Sequence, residues 1–378
     1  MKHLLKKLGT FLLLATLSFQ ACKKDAINEI SATAPGGEAT LRQEAEKTVQ
    51  EQQSNVAAFE KEFTKMLTVA SPDNSLTAGQ KNIVKIASSL PFLKSLVAAV
   101  VKTDLAGTLS SASLHATVFA PTDAAFAKLP APFNTPASIA SISDPAQIAA
   151  LKNILLYHVL GAEVKKYQIQ AGRSNAITLK PAVAGNDNTI YISKSLGLLF
   201  VNGNSLVLRA DVDASNGVIH VIDNVLLPPT QTIAQIAIGN PAFSTLVAAL
   251  VKTNLAGVFA GTGDFTVFAP TNAAFAKLPA PFNTPENIAS IASLTQITTL
   301  SNILTYHVTG SRYFAWDLGF FNQITTLAAA PGNKLTGLLG ISTAYVKGKQ
   351  NTSYAKANPT NILGTNGVVQ VIDQVLIP

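Results

Sequence analysis

The sequence predicts two tandem globular domains, each with helices in its first half and short strands in its second. Three observations carry this. The segment Thr117-Val-Phe-Ala-Pro-Thr-Asp-Ala-Ala-Phe-Ala-Lys-Leu-Pro130 recurs almost letter for letter from Thr266 to Pro279, 149 residues on. In both copies apolar spacing changes along the repeat from helix-like to strand-like. Of the 378 residues, 48% are hydrophobic and 13% charged, a balance that favours packed cores over long disorder.

The chain opens on Lys2, Lys6 and Lys7, followed by the apolar run Phe11-Leu-Leu-Leu-Ala-Thr-Leu17, which is too short to span a bilayer. This runs into Phe19-Gln-Ala-Cys22, an arrangement that resembles a bacterial lipoprotein signal. The resemblance implies a signal peptide over residues 1–22, a lipid on Cys22 and attachment to the outer membrane or cell surface within the bacterial envelope. Cys22 is the chain's one cysteine, so no internal disulfide forms and packing must supply the stability. Net charge is +7, yet no block of five basic residues occurs, so nucleic acid is not an expected partner.

Residues 23–79 differ in character. Residues 31–37 read as a flexible spacer. Residues 39–68, rich in Glu, Lys, Gln and Ala, place Val56, Phe59, Phe63 and Met66 on one stripe of an amphipathic helix. That helix either packs on the first repeat or holds the body away from the membrane. Ser71 to Ser75, with a proline inside, breaks it.

The repeats occupy 80–228 and 229–378. Each begins with helical spacing, Ile83 to Val100 and Ile233 to Leu250, broken in the first by Leu90-Pro91. At Thr117 and Thr266 a short strand meets a proline that cannot donate to a ladder. Thr122 then caps a helix, with Asp123 in its first turn and Phe126 and Leu129 on one face. A longer helix ends in Asn153-Ile-Leu-Leu-Tyr-His158, matched by Asn302-Ile-Leu-Thr-Tyr-His307. Strands at Thr189–Ile192, Leu198–Val201 and Leu206–Arg209 come next. Gly217 to Pro228 and Gly367 to Pro378 close the repeats.

Three ordered motifs, T-V-F-A-P-T-(D/N)-x-A-F, N-I-L-x-Y-H and N-G-V-(I/V)-x-V-I-D-x-V-L-x-P, each present twice, resemble those of the fasciclin domain. The resemblance implies an α+β fold, each domain a wedge-shaped β-sandwich with a helical cluster on one side. It also implies a surface-attached protein that takes part in adhesion and matrix binding. By analogy with animal members, Tyr157, His158, Tyr306 and His307 become candidate binding residues.

Read for chemistry, these residues offer little. His158 and His307 recur at one position, but no further ligands stand at metal-binding spacing, so a histidine that hydrogen-bonds a helix end to the sandwich is the expected role. Asp211 to Gly217 begins like a calcium loop, yet Asn216 and Ile222 stand where such a loop needs Gly and Glu. Asp223 and Asp373 sit within apolar strands without a second acid or base that recurs beside them, so each is expected to accept backbone hydrogen bonds. No nucleophile elbow or phosphate loop occurs. The expectation is a protein without enzymatic activity or cofactor.

The repeats diverge most between Gly337 and Thr365, where Tyr345, Lys347, Lys349, Tyr354 and Lys356 cluster, with Tyr313-Phe-Ala-Trp-Asp317 upstream. Aromatics beside lysines and amides suit a contact surface for an extracellular protein or polysaccharide. Adhesion to cells, matrix or polymer through two domains is therefore the expected function. The alternative is a carrier of a small apolar ligand in the cleft between helices and sheet, which an internal apolar pocket well above a water's volume would favour.

Overall fold

A computed structural model describes residues 36–69, 81–182, 187–261, 263–340 and 343–378. The leader with Cys22, the spacer up to residue 35 and the break at 71–75 lie outside the described residues. No helix among the described residues is long and apolar enough to cross a membrane. The chain divides into two compact units, residues 1–47 and 48–378. In the first, Arg42 Nε pairs with Glu46 Oε1 one turn on, at 2.9 Å.

The second unit holds both repeats and most of helix α1 (Gly36–Val69). Its apolar stripe docks on the first repeat. Phe59 and Phe63 meet Phe92 with ring centroids 5.2 and 6.1 Å away. Glu60 pairs with Arg209 at 3.5 Å, and Gln53 donates to the Leu196 carbonyl at 2.9 Å. Of the two roles open to this helix, its second half takes the packed one.

In the first repeat, α2 (Ile83–Ser89), α3 (Lys94–Lys102) and α4 (Ala106–Ser110) precede β1 (Ala116–Pro121). Then come α5 (Asp123–Phe126), α6 (Pro136–Ser141) and α7 (Pro145–Tyr157). Caps explain the starts. Thr122 accepts from Ala125 N, Asp144 accepts from Ala146 N, and Pro136 and Pro145 open their helices where a missing N–H costs nothing. Asp123 does more than favour a dipole, because its Oδ1 accepts Ser95 N at 2.7 Å and caps α3. Asn272 does the same for Thr245 N at 2.9 Å, which explains how an amide replaces the acid.

The strands are β2 (Val159–Leu160), β3 (Gly172–Ile177), β4 (Thr189–Ser195), β5 (Leu198–Val201), β6 (Ser205–Ala214) and β7 (Gly217–Ile222). They form one hydrogen-bonded path, β2-β1-β7-β6-β5-β4-β3, in which β1 and β7 run parallel. Two bulges in β6 let the path turn. β1 is buried on both faces, hence its unbroken apolar run. Alternation divides that run. Ala116, Val118 and Ala120 face the helical core, while Phe119 faces a second core that β4, β5 and β6 build with Tyr157.

The second repeat has the same plan from α8 (Ile233–Ile238), α9 (Ser244–Lys252) and α10 (Ala256–Ala260) to β8 (Phe265–Pro270). After α11 (Asn272–Phe275) and α12 (Pro285–Ala289), α13 (Leu294–Tyr306) leads into β9 (Val308–Thr309). The later strands are β10 (Phe320–Thr325), β11 (Lys334–Leu338), β12 (Ala344–Lys347), β13 (Ala355–Ala357), β14 (Ile362–Gly364) and β15 (Gly367–Ile372). β15 and β8 form the parallel pair.

The Asn-Gly of the closing motif ties sheet to helices. Asn216 Oδ1 accepts Ile83 N, and its Nδ2 donates to the Leu109 and Ser111 carbonyls. Asn366 repeats the three bonds with Ile233, Phe259 and Gly261. Asn216→Ala should cost about 3 kcal/mol, because it leaves the Ile83 amide and the Leu109 carbonyl unpaired in the interior. Urea unfolding of the variant checks this, and a loss below about 1 kcal/mol would mean that water replaces the amide.

Candidate functional site

The Tyr-His pairs are interior pins. His158 ends α7, where its Nδ1 lies 2.7 Å from the Ile154 carbonyl and its Nε2 accepts Leu226 N at 2.9 Å. Since Leu226 donates to Nε2, Nδ1 carries the hydrogen. His307 repeats the arrangement with Ile303 at 2.7 Å and Leu376 at 2.8 Å. Burial pushes both imidazoles down from 6.5 to about 4, so both are neutral at physiological pH. With each ring nitrogen occupied, neither ring has a lone pair left for a metal or a substrate proton.

Tyr157 donates to the Thr189 carbonyl at 2.6 Å and accepts from Asn202 Nδ2 at 3.1 Å. Tyr306 donates to the Lys334 carbonyl and accepts Lys349 N. Burial raises both phenols. All four candidates lie in the interior, so a macromolecule at the surface does not touch them; as direct contact residues they are corrected to structural ones. The reason is that the helix end, the sheet and the segment after the last strand offer carbonyls and amides within reach of these side chains.

The acids are equally occupied. Asp223 Oδ1 accepts Leu206 N at 2.7 Å and Asp373 Oδ1 accepts Lys356 N at 2.8 Å. Burial raises the Asp223 carboxyl above the ordinary range. Residues 211–217 cover the end of β6 and its turn into β7, where Gly217, at φ 147, lies against the Ala116 backbone. Among the described residues no cluster of three His, Cys, Asp or Glu could hold a metal ion.

The aromatic and lysine cluster does gather on one face of the second sheet. Tyr345 lies opposite Lys356, and Thr336 opposite Lys347. Lys347 Nζ stands 5.3 Å from the Tyr354 ring, which meets Phe321 edge-on at 6.1 Å. Tyr345, Lys347 and Tyr354 are half-buried, while Lys349 and Lys356 are exposed.

The upstream segment, residues 313–317, is not part of that face. Phe314, Ala315 and Trp316 are buried, and Tyr313 and Asp317 half-buried. Trp316 meets Phe200 with ring centroids 4.6 Å apart, Phe314 meets Tyr191 at 6.1 Å, and the Arg312 guanidinium covers the Tyr191 ring at 4.1 Å. Arg312 is itself held by Asp264 and by the Gly364 and Gly367 carbonyls. Arg173 lies 3.9 Å over Tyr313 and donates to the Arg312 carbonyl. Asn361, at φ 59, donates to the Gly203 carbonyl and to Asn204 Oδ1. Sequence reasoning missed this joint, although the difference between Glu163-Val-Lys-Lys-Tyr167 and Arg312-Tyr-Phe-Ala-Trp316 marks it. Gly203→Val should weaken the joint by about 2 kcal/mol: φ is 73 there and a Cβ would sit 2.4 Å from Phe314 Cδ1. A thermal melt that leaves the midpoint unchanged would contradict it.

Two repeated α+β domains locked together by the second domain's aromatic hook define the class of molecule. The fasciclin domain model matches residues 91–228 and 241–378, and the chain belongs to the fasciclin family. It is 39% identical over 174 residues to protein sll1483 of Synechocystis, covering 46% of this chain and 87% of that protein. It is 31% identical over 268 residues to the pig transforming growth factor-beta-induced protein ig-h3, covering 69% of this chain but only 34% of that one. A solved fasciclin domain pair from the insect cell adhesion molecule fasciclin I covers 74% of this chain and 92% of that chain, at 16% identity and a TM-score of 0.35.

Proposed function

We propose that this protein is a lipid-anchored adhesin of a bacterial surface, which binds an extracellular protein or polysaccharide through exposed faces of a rigid domain pair. The observation that carries the reading is the outer face of the second sheet, where Tyr345 and Tyr354 stand among Lys347, Lys349 and Lys356 on strands fixed by the core beneath. Aromatic bodies with cationic tips give contact area at low entropic cost. Membership of a family associated with adhesion and matrix binding supports it. The occupied histidines and acids support a non-enzymatic role. Anchoring through Cys22 would place many copies on one surface and multiply weak contacts.

The test has two arms. Cells producing the protein should bind matrix- or glycan-coated wells, and Tyr345→Ala with Tyr354→Ala should reduce retention at least about tenfold. Unchanged retention would end the reading of this face. Metabolic labelling with a clickable fatty acid should mark the wild type and not Cys22→Ser; label on both would end the anchor at that position.

One observation favours the carrier as a second reading. An apolar cavity of about 70 Å³ lies between α2, α3 and the β1–β7 pair, against about 20 Å³ in the second domain. Leu109 and Val100 stand in the first domain where Phe259 and Leu250 fill the second. The cavity exceeds a water's share but falls well short of the roughly 300 Å³ of ordinary ligand pockets. A bound mass or visible absorption in protein purified from its host would favour the carrier.

A further inference from the structure

We infer that the cleft between the two domains is a binding site for an uncharged saccharide, the end or a short stretch of a neutral polysaccharide. The cleft holds about 470 Å³, within the roughly 300–1,000 Å³ of ordinary ligand sites. It lies beside the aromatic joint, since Arg312 and Phe314 line it, and it shares no lining residue with the Tyr345 face.

Its floor is the last strand of the first sheet and the strand beside it. Register sets Arg173 opposite Ser193 and Asn175 opposite Tyr191, so these four side chains share one face of β3 and β4. β3 ends its hydrogen-bonded path, which leaves that face open at one side. The second domain supplies the facing wall through Asp264, Ser311, Arg312 and Phe314. The wall is fixed before any ligand arrives, because Arg312 is held by Asp264 and two carbonyls and Phe314 packs on Tyr191. A site already in place loses little freedom on binding.

The chemistry of the lining selects the ligand. Arg173 gives Nη1 to the Arg312 carbonyl, which leaves Nε and Nη2 as donors. Asp264 uses Oδ1 for Arg312 and keeps Oδ2 as an acceptor. The side chains of Asn175 and Ser311 form no hydrogen bond among the described residues; Asn175 is exposed and Ser311 half-buried. Donors and acceptors interleaved in this way suit neighbouring hydroxyls, each of which both gives and accepts. Tyr191, Ile192 and Phe314 add apolar surface for the C–H side of a sugar ring. Charge disfavours an anion, since the two arginines meet three carboxylates. Arg312 bonds Asp264 and stands 3.9 Å from Asp187, and Asp317 lies near enough to feel Arg173. A cation fares no better, because each carboxylate already holds an arginine or donors of the fold. Asp187 accepts Thr189 N and the Tyr191 hydroxyl, and Asp317 accepts Phe314 N.

A saccharide site in the cleft rests on the adhesive reading only for its biological purpose. Titration calorimetry of the full chain in mild detergent, with neutral hexasaccharides of glucose, xylose and mannose, should give a dissociation constant of about 1 mM or tighter for one of them. Hexagalacturonate, a sugar chain that carries carboxylates, should bind at least about tenfold more weakly than that one. Asn175→Ala with Ser311→Ala should weaken binding at least about tenfold. The thermal midpoint should stay unchanged, because neither side chain bonds to the fold, and an unchanged midpoint excludes misfolding as the cause. Tyr345→Ala with Tyr354→Ala should leave the affinity as it is. No binding by any of the three neutral chains at about 10 mM, binding that ignores the Asn175 and Ser311 changes, or a preference for hexagalacturonate would each overturn the inference. Cells that adhere although no hexasaccharide binds would sink the inference alone, and binding in the cleft without adhesion would sink the adhesive reading alone.

Discussion

Acidification from neutrality to a pH of about 4 should remove about 6 kcal/mol of folding stability through His158 and His307 alone. Each imidazole is held neutral by burial, with its folded-state value near 4 against 6.5 when unfolded. Between those values the unfolded chain binds a proton that the folded chain refuses, so stability falls with pH. The contribution is complete above 6.5, is lost progressively down to about 4, and changes no further below that. A tenfold change in proton affinity is worth about 1.4 kcal/mol, which gives about 3 kcal/mol per ring. His220, also lowered by burial, adds in the same direction. Asp223 and Asp317 act oppositely, since burial raises both carboxyls and their cost is relieved as pH falls through the folded-state values. Urea midpoints measured across this range decide the matter. A flat profile between 6.5 and 4 would show that the rings titrate freely.

Trp316→Ala should cost about 4 kcal/mol and uncouple the domains. The ring is buried at the joint and packs on Phe200, so truncation opens a cavity that two rigid sheets cannot close. Its indole Nε1 has no hydrogen-bond partner among the described residues, so the loss is one of packing. Trp316→Phe should therefore cost far less, because it removes an unsatisfied donor along with part of the ring. Far-ultraviolet circular dichroism during urea unfolding should turn from one transition into two for the alanine variant. A single transition at an unchanged midpoint would show that the linker at Pro228 and Pro229, and not the hook, couples the domains.

The strand–proline–cap corner was legible in the chain because its chemistry is local. Pro121 ends a ladder and Thr122 caps the adjoining helix, whatever surrounds them. The break between α2 and α3 was legible for the same reason. Less visible was β3, an edge strand with little apolar alternation, recognisable only by its pairing with β4. The function of Asp123 was half visible: acid or amide at a helix start is a local signal, but its partner Ser95 is 28 residues away.

The site was less legible than the fold. Tyr157 and His158 drew attention by recurring in both repeats, and recurrence marks scaffold as readily as it marks contact. Burial separates the two, and burial is a property of the packed chain. The same holds for residues 313–317, whose aromatics suit a contact surface equally well whether the partner is a stranger or the neighbouring domain.

Spacing, punctuation and residue counts were enough to establish a doubled domain, with helices in the first half of each copy and short strands in the second, and the absence of an internal disulfide. Tertiary structure alone decided that β1 pairs in parallel with β7 a hundred residues on, and that the hook of one domain covers the sheet of the other. Such contacts join residues far apart in the chain, and their free energy comes from excluding water between surfaces that no local pattern brings together.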